Sequence, residues 1–116
     1  MFVIALENMC DQEQFDTWCH KARNCRILGC YAQTEIGHGS NVAALETTAT
    51  FDEKTDEFVI HTPSISATKW WPGDMGNFST HALVYARLII DENNYGVIPF
   101  IVPIRSTEDF MPLKGI

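Results

Sequence analysis

The sequence has no apolar run approaching the roughly 20 residues that a membrane-spanning helix requires. Its opening Met1-Phe2-Val3-Ile4-Ala5-Leu6 is apolar, but no cationic segment precedes it and Glu7 ends it, so it does not read as a secretory signal. Positive charge is scarce. Eight Lys and Arg stand against fifteen Asp and Glu, a formal charge of −7. Such a balance argues against non-specific binding to nucleic acid, whose phosphates want a basic stripe, and against an anionic membrane surface. Without a secretory signal, the four cysteines are expected to be reduced thiols of an intracellular compartment.

Four chemical signatures are missing as well. Cys10, Cys19, Cys25 and Cys30 form no Cys-x-x-Cys pair, and His20 adjoins Cys19 where the two side chains diverge on a helix, so no metal site is expected. Gly37-x-Gly39 has Val42 where a dinucleotide fingerprint needs its third glycine, and a strand rather than a helix follows. Ser40 lacks the Gly-x-Ser-x-Gly frame of a nucleophile elbow. Nothing places His38 or His81 in a Ser-His-Asp triad.

What is present suits one packed domain: 116 residues, 46% of them apolar. Asp11 and Gln14 have capping-box spacing, and Phe15, Trp18, Cys19 and Ala22 then share one helical face over about three turns. Lys21, Arg23 and Arg26 gather at the end, where they suit the helix dipole. Residues 2–10 are expected to form a shorter helix before it. From Ile27 the pattern changes to strand. Residues 27–33 form an apolar run. Leu45, Thr47, Ala49 and Phe51 alternate with Glu46, Thr48 and Thr50, and residues 52–57 turn the chain back into Phe58-Val59-Ile60-His61. Further strands are expected at 64–69, 81–90 and 96–104, the last an edge or a bulged strand because it holds Pro99 and Pro103. The expected class is mainly β, an antiparallel barrel with a short helical lead-in. Residues 110–116 stop without a polar tail, as in a chain cut from a longer one.

Lys69-Trp70-Trp71-Pro72-Gly73 is the most unusual element. Adjacent tryptophans on a strand point to opposite faces, so one is expected in a core and the other against a neighbouring domain or a flat ligand. Tyr31-Ala32-Gln33-Thr34 ends a strand at the glycine turn, an edge where polar groups commonly orient ligands.

Gly29-Cys30-Tyr31-Ala32-Gln33-Thr34-Glu35-Ile36-Gly37-His38-Gly39-Ser40 resembles the signature of acyl-CoA oxidases. So do Leu45-Glu46-Thr47-Thr48-Ala49-Thr50-Phe51-Asp52, Lys69-Trp70-Trp71-Pro72-Gly73 and Phe100-Ile101-Val102-Pro103-Ile104-Arg105, in the same order. The Tyr-Ala-Gln-Thr and Trp-Trp-Pro-Gly forms favour the oxidase branch over the related dehydrogenases. The resemblance covers residues 27–116 closely and the helical start more loosely. It implies that residues 1–26 end an N-terminal helical domain and that residues 27–116 are a middle β-barrel domain. It further implies a peroxisomal, homodimeric enzyme that binds FAD, converts fatty acyl-CoA to trans-2-enoyl-CoA and reduces O2 to H2O2.

The resemblance assigns the flavin contacts to Thr34 and Gly73, with Gln33, Ala32, Trp70 and Trp71 as neighbours. The resemblance further implies that Gly39, Ser40 and Asn41 line the acyl-CoA path. A hydroxyl and a backbone N–H suit the polar edge of isoalloxazine, and Gly73 admits close approach and leaves room for oxygen. Asp74, where relatives often carry a small residue, is expected to face solvent. The family's proton-abstracting glutamate lies in a C-terminal region to which neither Glu35 nor Glu46 corresponds. This chain is therefore expected to hold no catalytic residue. The rival readings are an acyl-CoA dehydrogenase relative and a non-enzymatic β-barrel binding module.

Overall fold

Asp11 opens the second helical segment as its spacing predicts. Its carboxylate accepts the Gln14 N–H at 2.8 Å, and the Gln14 side chain accepts the Asp11 N–H at 3.3 Å. In the computed structural model, which describes all 116 residues, α1 (Phe2–Met9) precedes this cap. After it come α2 (Gln12–Gln14), a π-helical turn (Phe15–Cys19) and α3 (His20–Arg23). Cys19 and Ala22 are buried on the expected face, with Phe15 and Trp18 half-buried. Phe2 and Leu6, one turn apart, are the buried residues of α1. Arg23 Nη2 meets Glu7 Oε1 at 2.6 Å and fastens α3 to α1. No helix is long and apolar enough to cross a membrane.

Five strands follow: β1 (Gly29–Ala32), β2 (Thr48–Asp52), β3 (Glu57–His61), β4 (His81–Ile90) and β5 (Asn93–Pro103). Their order is β1-β4-β2-β3, with β5 paired to β4. The hairpin expected around residues 52–57 forms, with Thr48 opposite His61 and Asp52 opposite Glu57. The antiparallel barrel does not. β2 runs parallel to β4, Thr48 opposite Arg87 and Thr50 opposite Ile89, so the sheet is mixed. A parallel neighbour needs a long crossover, and β3 with residues 62–80 supplies it. β5 holds Pro99 and Pro103 and lies off the main strand order.

The strand expected at 64–69 is also absent. The Ser64 hydroxyl and carbonyl both take the Ala67 N–H at 3.2 Å, and Ile65 O takes the Thr68 N–H at 3.1 Å, so local turns consume the groups that a ladder would use. Lys69 forms an isolated antiparallel bridge to Glu35.

The chain divides into two units. The first comprises residues 1–31, 73–83 and 101–116, and its interior holds Phe2, Leu6, Cys19, Ile27, Leu83 and Ile104. The second comprises residues 32–72 and 84–100, with Ala32, Leu45, Ala49, Ala67 and Ala86 inside. The alternation of 45–51 shows in burial even where no strand forms: Leu45, Thr47 and Ala49 are buried and Thr50 is exposed.

Candidate functional site

In the second unit the segment after β1 lies against residues 66–70. Thr34 O accepts the Trp70 N–H at 2.9 Å, Thr68 O accepts the Ile36 N–H at 3.0 Å, and Ser66 O accepts the Gly37 N–H at 2.9 Å. Thr34 and Trp70 are thus backbone neighbours. The Trp70 indole is 62% exposed, and with Ile36 it lines a shallow pocket of about 230 Å³. The Thr34 hydroxyl, half-buried, takes part in none of these bonds.

The tryptophan pair departs from expectation. Neither ring enters a core: Trp71 is 87% exposed. No strand forms there to alternate its side chains, because Trp71 takes a left-handed φ of 76°.

Beneath this edge lies an ion pair. Glu35, 1% exposed, accepts the N–H of Glu46 at 2.8 Å, the N–H of Thr47 at 2.9 Å, the Thr47 hydroxyl at 2.6 Å and the Lys69 ammonium at 3.1 Å. Burial alone would raise the carboxyl pKa, but these donors outweigh it and hold it below the ordinary value. The Lys69 ammonium also donates to Gln33 O at 3.1 Å and Tyr85 O at 2.7 Å. Its pKa is lowered by burial, against the pull of Glu35.

A second carboxylate anchors the glycine turn. Glu46 accepts from the Ser64 hydroxyl at 2.6 Å and from the Ser66 hydroxyl at 3.0 Å, and it meets His38 Nε2 at 2.9 Å. These bonds, that from Ser64 foremost, push its pKa down to about 2. Gly39, Ser40 and Asn41 are exposed beyond this anchor, and Val42–Ala44 forms a 3₁₀ turn after them. Arg87 Nη2 holds the far side through Ala43 O at 2.9 Å and Leu45 O at 2.8 Å. Glu46 is depressed relative to its ordinary 4.5, so its stabilisation is complete above pH 4.5 and is lost as pH falls toward 2. Melting temperatures measured between neutral pH and pH 3 should therefore fall less steeply in Glu46→Gln than in the parent. Equal slopes would show that this cluster carries no such linkage.

Gly73 belongs to the first unit. A Cβ built there meets nothing within 4 Å. Asp74 after it is exposed, as expected, and its carbonyl accepts the N–H groups of Asn77, Phe78 and Ser79 at 3.0–3.1 Å. Arg105 clasps the same loop, giving Nη2 to Met75 O at 3.2 Å and Gly76 O at 2.8 Å.

Of the residues the sequence singled out, the structure joins Thr34 to Trp70 directly and Gln33 to both through Lys69. Gly39, Ser40 and Asn41 stand apart in the exposed turn. Lys69 and the Glu46 cluster were not anticipated as supports. Their signal was position, since Glu35 follows Thr34 and Lys69 precedes Trp70.

The family model described as acyl-CoA dehydrogenase, middle domain, matches residues 30–114. The chain belongs to this family. Within it, the chain is 60% identical over all 116 residues to peroxisomal acyl-coenzyme A oxidase 1 of Arabidopsis thaliana and 48% identical to peroxisomal acyl-coenzyme A oxidase 2 of Oryctolagus cuniculus. It spans 18% and 17% of the length of those two relatives. Among solved structures, acyl-CoA oxidase 1 of Arabidopsis thaliana superposes with a TM-score of 0.96 at 59% identity, covering 98% of this chain and 17% of that one. Acyl-CoA oxidase-2 of Caenorhabditis elegans, solved bound with FAD, ascaroside-CoA and ATP, gives 0.96 at 50% identity, covering 99% of this chain and 17% of that one. The mixed sheet with its helical lead-in is thus an acyl-CoA oxidase architecture.

Proposed function

We propose that this chain is the flavin-facing middle portion of a peroxisomal acyl-CoA oxidase. In this reading residues 1–26 end a helical domain and residues 27–116 form the middle domain. The reaction takes fatty acyl-CoA to trans-2-enoyl-CoA and O2 to H2O2 in fatty acid β-oxidation, in a homodimer. The observation that carries the reading is the Thr34–Trp70 edge. The backbone bond between them makes the residue with the hydroxyl and the residue with the exposed indole neighbours, which supports the reading.

That donor set fits FAD. Isoalloxazine is flat, with hydrogen-bond acceptors along one edge, and it wants an aromatic cover and a donor that no internal partner has claimed. FAD, when bound, would supply the acceptor for the hydride removed from the β-carbon, one carbon beyond the position beside the thioester. Thr34 would donate its hydroxyl to the polar edge, where fixed donors favour the negative charge that builds there. Trp70 would cover the ring and exclude water, with Trp71 and Gln33 as neighbours, and the flavin contact of Gly73 rests on the family resemblance alone. The open space at Gly73 suits oxygen access. Gly39, Ser40 and Asn41 would line the acyl-CoA path.

The proton beside the thioester needs a base, and neither central carboxylate is suited to take it. The Glu35 oxygens are occupied by four donors. Glu46, with its pKa near 2, binds protons poorly at neutral pH. The base is therefore assigned to another part of the enzyme.

The test is made on the intact protein. It should carry flavin absorbance and release peroxide from acyl-CoA in air. Thr34→Ala should weaken FAD binding by about 2- to 10-fold, the equivalent of one hydrogen bond, and Thr34→Ser should restore most of it. A colourless protein without peroxide formation overturns the reading. A flavin that is reduced by acyl-CoA yet yields no peroxide moves the protein to the dehydrogenase branch.

A further inference from the structure

We infer that Lys69 is a positioning residue for the flavin wall, setting the spacing of Thr34 and Trp70 without touching the flavin. The inference rests on the function proposed above. An ammonium has three donors and no acceptor. Those of Lys69 go to Gln33 O at 3.1 Å, Glu35 Oε1 at 3.1 Å and Tyr85 O at 2.7 Å, so none is left for a ligand. Two of these acceptors bracket Thr34, one residue before it and one after. The next residue along from Lys69 is Trp70, whose N–H closes onto Thr34 O at 2.9 Å. One buried cation therefore grips both sides of the residue that offers the hydroxyl and adjoins the residue that offers the indole.

Alternatives are fewer than the chemistry first allows. The Lys69 side chain is 9% exposed and that of Glu35 is fully buried, so the pair is not a surface charge seeking a substrate anion. The third bond, to Tyr85 O, ties the same ammonium to β4. The edge is thus held against a strand of the sheet rather than left as a free loop. An arginine would not substitute. Its planar fork cannot reproduce three divergent bonds from one nitrogen.

The experiment compares the intact protein with Lys69→Met and with Glu35→Gln/Lys69→Met, the second of which strands no buried charge. FAD affinity is read by fluorescence titration, the visible band of the bound flavin by absorbance, and folding by circular dichroism and melting temperature. The double variant should fold, bind FAD at least about tenfold more weakly, and show a shifted flavin band, because a misplaced contact costs affinity steeply. Lys69→Met should show the same band shift together with a lower melting temperature. A folded double variant with parental affinity and an unshifted band overturns the inference and leaves the proposed function standing. Failure of both variants to fold makes Lys69 a purely structural residue and also overturns it. Failure of the unaltered protein to bind FAD overturns the proposed function itself, and with it this inference.

Discussion

Glu35→Ala should cost about 3–5 kcal/mol, the usual penalty for breaking a buried ion pair from one side. Urea unfolding of the purified protein measures it directly. The substitution leaves the Lys69 ammonium in the interior with two carbonyls and no counter-charge. It also strips the acceptor from the N–H groups of Glu46 and Thr47, and leaves the Thr47 hydroxyl only Ala67 O at 3.2 Å. Domains of this size hold about 5–15 kcal/mol in total, so the variant should sit near its unfolding threshold. Glu35→Gln keeps a carbonyl oxygen for some of these donors and should cost clearly less. A loss below about 1 kcal/mol in Glu35→Ala would place the pair among ion pairs of surface strength and refute its structural weight.

The acid side gives an independent check. The folded-state pKa of Glu35 is depressed, so its stabilisation is present above the ordinary carboxylate range and disappears as pH falls through the depressed value. Glu46 titrates in the same direction. Glu35 lies beneath the Thr34–Trp70 edge and Glu46 anchors the glycine turn, so both segments of the second unit should loosen in acid.

The same economy governs the cations. Of eight Lys and Arg, Lys69, Arg87 and Arg105 give their donors to backbone carbonyls, and Arg23 gives its own to Glu7. Half of the positive charge is thus spent on contacts within the chain, three of the four cations holding backbone carbonyls and the fourth joining α3 to α1. An acidic chain that uses its cations as clamps has little left with which to steer a polyanion.

How much of this was written in the sequence depends on how local each signal is. The Asp11–Gln14 box and the β2–β3 hairpin were legible because both partners lie within a few residues. The burial of Leu45, Thr47 and Ala49 was legible from alternation, which survives where the ladder does not. The parallel pairing of β2 with β4 was not, since Thr48 and Arg87 carry no mark that relates them. Residues 64–69 read as strand by composition, but Ser64 offered the backbone a nearer partner. Glu35 and Lys69, 34 positions apart, carry no local mark that relates them, and only the fold brings them together. The Thr34–Trp70 edge was reached through family resemblance. Physics supplied its fitness for a flat ligand, and the structure supplied the backbone bond that joins its two halves.

Gly29→Ala should destabilise the protein by about 1–3 kcal/mol, although the change adds a single methyl group. A Cβ at Gly29 would fall 2.1–2.3 Å from three ring carbons of Phe2. Phe2 is itself buried on α1, so its ring has no solvent to swing into. The glycine is therefore required by close approach rather than by backbone conformation, and β1 receives the helix through that gap. This account makes a coupling prediction. Phe2→Leu alone should be destabilising, because a smaller side chain leaves part of the ring volume empty. The pair Phe2→Leu/Gly29→Ala should be less destabilised than the two losses added together, because the new methyl enters the space the ring has left. Urea midpoints of the four proteins yield the interaction energy, expected at about 0.5–3 kcal/mol for residues in contact. Strict additivity would mean that the ring and the glycine do not share that space, and the seating of α1 on β1 would need another explanation.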